Sequence, residues 1–136
     1  MMWDEVMARV VVMLQEDPII VSIFGDAIRR AGTGDIQIPG LEWHLIGDTE
    51  NELWAPCIIQ WDIWTAKSDD ARRAEFRLRS MLHSDLQILL GEFRMWSQYL
   101  EGSVLASPNR HGSDGRALRF QLTPMRRQYA LREHAP

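Results

Sequence analysis

The side chains that carry out chemistry in proteins are few and scattered in this sequence. Its four histidines, His44, His83, His111 and His134, stand far apart, with none of the spacing that gathers ligands around a zinc ion. The single cysteine, Cys57, can close no intrachain disulfide and has no histidine placed in the pattern of a thiol nucleophile. Gly32 to Asp35, GTGD, is glycine-rich, but no helix pattern follows it, and a phosphate loop needs the N–H groups of a helix start. No G-x-S-x-G elbow occurs. The neighbouring carboxylates Asp69 and Asp70 suit the positive end of a helix dipole, which explains them without catalysis. No catalytic, cofactor-binding or metal-binding residue is assigned, and neither enzymatic activity nor a cofactor is expected.

Tryptophan is the conspicuous residue type, at positions 3, 43, 54, 61, 64 and 96. Its large side chain dominates both cores and the centres of protein interfaces. Trp61 and Trp64 are three apart in an extended run, so they point to opposite faces of one strand and cannot share a core. Trp64 is the candidate for a subunit contact.

These residues need elements to position them. Asp4 to Glu16 has apolar residues at Val6, Val10, Met13 and Leu14, the spacing of one helix face, with Asp4 as candidate cap and Trp3 ahead of it. Asp17-Pro18 ends that helix and starts a short one to Phe24, stopped at Gly25. Asp26 to Arg30 reads as an edge strand, and Ala31 to Gly40 as a loop. Leu41–Ile46 alternates as a half-buried strand, and Gly47–Glu52 is an acidic turn. Ala55–Thr65 is apolar on both phases, the pattern of a central strand. Asp69–Ser84 is a helix capped by Ser68, with an apolar stripe of Ala71, Ala74, Leu78 and Leu82. Phe93–Leu100 is a strand that continues past a bulge at Glu101-Gly102. Ser107–Arg116 is an exposed loop, and Ala117–Met125 the closing strand. The expected fold is α+β: an antiparallel or mixed sheet of about four to five strands, with an N-terminal helix and one long helix packed on it.

At 136 residues, with 46% hydrophobic and 25% charged side chains, the chain has the size and balance of one globular domain spanning 1–136. No uncharged apolar stretch approaches the ~20 residues that cross a bilayer, and Asp4 and Glu5 stand where a secretory signal would be basic. A cytoplasmic origin and no membrane partner are expected. The net charge of −4 lacks the basic excess of a general nucleic-acid binder. That charge is unevenly spread: residues 1–62 carry eleven acids and three bases, residues 63–136 eight acids and twelve bases. Unlike halves suit head-to-tail self-association.

The order of elements resembles the siphophage tail terminator, or tail completion, proteins. The resemblance rests on Asp17–Arg30 (DPIIVSIFGDAIRR), on Pro56–Trp64 running through Lys67–Asp70 into the helix, and on the closing RALRFQL. It implies a structural virion protein, made in the host cytoplasm, that sits at the head-proximal end of the tail. There it would assemble as a homo-hexamer on the tail tube protein, stop tube polymerisation and present the docking surface for the head–tail connector or head-closure protein. DNA would pass through the lumen without sequence-specific binding. A globule of this length is roughly 35 Å across, so six on a hexagon leave a hole about one globule wide. Within this frame Arg72, Arg73, Arg77, Arg79 and Trp64 are expected at subunit contacts. Asp48, Glu50, Glu52, Asn109, Arg110, His111 and Arg116 are expected in loops that dock neighbouring rings. The alternatives are another neck protein, or a small α+β enzyme or ligand-binding module.

Overall fold

The computed structural model describes residues 2–46, 56–90, 93–105 and 114–126. Two helices come first, α1 (Met2–Gln15) and α2 (Pro18–Phe24), followed by three strands, β1 (Ile28–Arg30), β2 (Gly40–Ile46) and β3 (Cys57–Thr65). Then come helix α3 (Ser68–Leu82) and strands β4 (Ser84–Leu90), β5 (Phe93–Leu105) and β6 (Asp114–Arg126). The strands form one six-stranded sheet in the order β1-β2-β3-β6-β5-β4. Among the described residues only β1 and β2 pair in parallel, and the other pairs are antiparallel. The fold is α+β with a mixed sheet, as expected, and carries one strand more than the upper expectation.

The extra strand is β4. It follows α3 with only His83 between them, and SDLQILL lacks a clean alternation that would separate it from the helix before it. The helix expected to run to Ser84 therefore ends at Leu82. Ser68 is its first residue and not its cap: Lys67 takes that position without a side-chain hydrogen bond. Asp4 likewise lies inside the first turn of α1, and its carboxylate meets Arg30 at 2.8 Å instead of capping. Asp17 does cap α2, accepting the Ile20 N–H at 3.0 Å.

All three helices lie on one side of the sheet. α1 contributes Trp3, Val6, Met7, Val10 and Leu14 to the core, α2 contributes Ile20, Ile23 and Phe24, and α3 contributes Ala74, Leu78 and Leu82. They meet Leu41 and Trp43 of β2, Cys57, Ile59, Trp61 and Ile63 of β3, and Leu118, Phe120 and Leu122 of β6. Alternation sends the intervening residues to the second face. There Gln60 donates to Asp62 at 2.8 Å, Arg119 donates to Gln60 at 2.9 Å, and His44 and Arg29 lie 3.4 Å from Asp62 and Glu42. This mutual bonding is why β3 tolerates polar side chains in a central position. Trp64 is on this second face, as its spacing from Trp61 requires. Its ring lies over Gly115, its partner across β3 and β6, where an added Cβ would come within 2.3 Å of Trp64 Cζ3.

Gly115 also corrects the expected loop Ser107–Arg116. Asp114, Gly115 and Arg116 belong to β6, and the glycine that reads as a turn residue is there to admit a tryptophan ring. Residues 107–113 and the whole turn Gly47–Glu52 lie outside the described residues. Their flanking strands leave the sheet at opposite ends: Ile46 and Ile58 are opposite each other at one, and Leu105 and Gly115 at the other.

Candidate functional site

The surface with the most chemistry left unspent is the outer side of α3 together with the adjoining length of β5. Burying Ala71, Ala74, Leu78 and Leu82 turns Arg72, Arg73, Phe76, Arg79 and Ser80 outward. Phe76 is 77% exposed, an unusual state for a large apolar side chain. Strand β4 pairs with β5 only as far as Ser84 opposite Ser97, so among the described residues no strand lies outside Tyr99–Leu105. That free length carries Leu100 at 40% and Val104 at 78% exposure. Gly102 brings it close beneath the helix: a Cβ there would lie 2.8 Å from the Tyr99 hydroxyl and 3.5 Å from Glu75 Oε1.

A cavity of about 410 Å³ opens at this junction, lined by Phe76, Arg79, Ser80, His83 and Tyr99. Tyr99 is held from below, its ring meeting Phe120 edge-on with centroids 5.4 Å apart. The Arg79 guanidinium lies 4.3 Å from the Tyr99 ring centre, a cation–π distance. His83 Nδ1 accepts the Tyr99 N–H at 2.9 Å, which leaves Nε2 to carry the proton of the neutral ring.

The four arginines expected at subunit contacts divide by what they touch. Arg77 turns inward, donating from Nε to Asp17 Oδ1 at 3.0 Å. That hydrogen bond holds the Asp17 carboxyl below its ordinary range, helped by the Ile20 and Ile19 N–H groups and opposed by burial, and it raises Arg77. Arg72 and Arg73 lie 3.9 and 3.5 Å from Asp69 and Asp70 one turn earlier, exposed pairs of small energetic weight. Among the described residues, Arg79 meets no carboxylate. Arg116, expected in a docking loop, instead donates to Glu75 at 2.7 Å and ties β6 to α3. Trp64 is 5% exposed, so its ring is already covered within the chain. Asp48, Glu50, Glu52, Asn109, Arg110 and His111 lie outside the described residues.

The cavity itself was not legible in the sequence. Phe76 sits on the polar phase of α3, and that mismatch with the Ala71, Ala74, Leu78, Leu82 stripe was the available signal. Cys57 is buried on the helix side of the sheet, away from the polar second face, and no group of three or more metal-ligating side chains occurs among the described residues. Hydrogen-bond donors beside aromatic rings suit the binding of an acidic, partly apolar chain.

No protein-family model matches the sequence, and no curated protein matches it. Among solved structures the chain is similar to a chain from the virion of a native gene transfer agent (GTA) particle. The two share 14% sequence identity and a TM-score of 0.60, over 84% of this chain and 90% of that one. The likeness at this identity is one of fold.

Proposed function

We propose that this chain is a structural protein of a phage-like virion, in the form of a hexameric ring that caps the tail tube and receives the head connector. The observation that carries the reading is the shared fold with a chain of a gene transfer agent virion across most of both molecules. The resemblance of the element order to tail terminators supports the position at the head-proximal end of the tail. The bare α3–β5 surface supports self-assembly, because an unpaired strand edge with exposed Leu100 and Val104 invites pairing until another chain covers it.

In this reading the outer side of α3, with Arg72, Arg73 and Arg79, faces the next subunit. The segment joining β5 to β6, with Asn109, Arg110 and His111, contacts the tube or the connector. The β2–β3 and β5–β6 connections leave the sheet at opposite ends, so the two loops serve different partners.

Particles made without the chain test the proposal by electron microscopy. A tube-capping role expects tails of uncontrolled length that do not join heads. Tails of normal length that fail to join heads would instead favour a head-closure role. Normal, connected and infectious particles would overturn both.

A further inference from the structure

We infer that the cavity between α3 and β5 is the socket for residues 47–55 of a second copy of this chain. Its lining combines two aromatic rings, Phe76 and Tyr99, with donors: the Arg79 guanidinium, the Ser80 hydroxyl and His83 Nε2. The matching ligand is a segment with carboxylates next to a large apolar side chain. Such a segment is present in the chain. Residues 47–55 read GDTENELWA, with Asp48, Glu50 and Glu52, no base, and then Leu53 and Trp54. The other longer stretches outside the described residues fit less well: 106–113 (ASPNRHGS) has no acid, and 127–136 (RQYALREHAP) sets one glutamate against two arginines.

Arg79 points the same way. Arg29, Arg30, Arg77, Arg116 and Arg119 each meet a carboxylate from elsewhere in the fold. Arg79 lies over the Tyr99 ring and lines the cavity, and among the described residues it meets no carboxylate.

A second copy is the donor because of where the turn starts. It springs from β2 and β3, and β2 is three strand spacings from β5, roughly 14 Å. Helix α3 packs over β3, β6 and β5, and the cavity opens on its outer side. Residues 47–55 start from β2, across α3 from the cavity, so a neighbouring copy is the donor. Tip into socket is a heterologous contact, the kind that closes rings. The inference rests on the ring reading above and gives the acidic turn a partner within the ring instead of in a neighbouring one.

Sedimentation velocity over a range of concentrations tests it on the full chain. Arg79→Glu, Trp54→Ala and the double change Glu50→Lys with Glu52→Lys should each weaken self-association at least ten-fold while leaving thermal melting unchanged. The charge reversal keeps every apolar side chain, so it decides the matter if Trp54→Ala fails to fold. Mixing Arg79→Glu with Trp54→Ala leaves one sound turn and one sound socket, so the mixture should form dimers and stop there. Unchanged association of the variants, no dimer in the mixture, or a wild-type chain that stays monomeric throughout would overturn the socket. The ring reading fails separately. If the Arg79→Glu chain still enters particles and joins heads to tails, the socket is wrong and the ring stands; if the wild-type chain is absent from particles, the ring falls.

Discussion

The two sides of the sheet end differently. At β1 the edge is three residues long, and the chain closes it with its own groups. The Ile28 N–H goes to the Asp26 carbonyl, and the Arg30 carbonyl accepts from the Thr33 hydroxyl. Arg29 reaches the Asp35 carbonyl and Glu42, while Arg30 reaches Asp4 and lies 5.2 Å from the Trp43 ring centre. Short length and charge are the ordinary means of keeping an edge from pairing. At β5 the free edge is longer, its neighbours Phe76, Leu100 and Val104 are bare, and Arg79 has no acid beside it among the described residues. One side completes itself and serves stability; the other is left uncovered among the described residues and is the side proposed for assembly.

Substitutions that break this contrast fall in a clear order. Trp43→Ala, in the closed region, should cost about 3–5 kcal/mol, since it removes a buried indole and leaves a cavity. Chemical denaturation measures it, and a loss under 1 kcal/mol would mean that the closed edge is not what holds that side. Asp17→Ala should cost about 2–3 kcal/mol, because it removes the cap of α2 and strands Arg77. Its pH dependence follows from the depressed carboxyl. The stabilisation is fully present above the unfolded value of about 4 and is lost as pH falls through the lower folded value, so wild type and variant should converge in stability in acid. Gly115→Val should cost about 1–3 kcal/mol through collision with Trp64, read as a lowered Tm. Smallest is Val104→Lys on the open edge, within about 0.5 kcal/mol of wild type in stability. The same change should reduce binding of a hydrophobic dye, and a large loss of stability there would show that the edge is covered within the chain itself.

How much of this was readable in the sequence depends on the range of the interaction. β2 and the core face of β3 are plain from alternation, and α2 from Asp17-Pro18, because those signals lie within a few residues. A bulge in β5 is signalled locally by Glu101-Gly102, but the register shifts at Leu100, between Tyr99 and Glu101, just ahead of that pair. β4 was lost against the end of α3. The fates of the arginines were hidden altogether: Arg77 finds Asp17 from 60 residues away, and Arg116 finds Glu75 from 41. The half-to-half charge difference was correct as arithmetic, yet much of it is used inside the chain, and only the tertiary structure shows that Arg79 is left over.

The central claim, a ring-forming virion protein, is tested most directly by counting the chain in purified particles by quantitative mass spectrometry against the tail tube protein. A capping ring expects about six copies per particle, a number fixed by closure of the ring and independent of tail length. Absence from the particles, or a copy number that scales with the length of the tail, would contradict it.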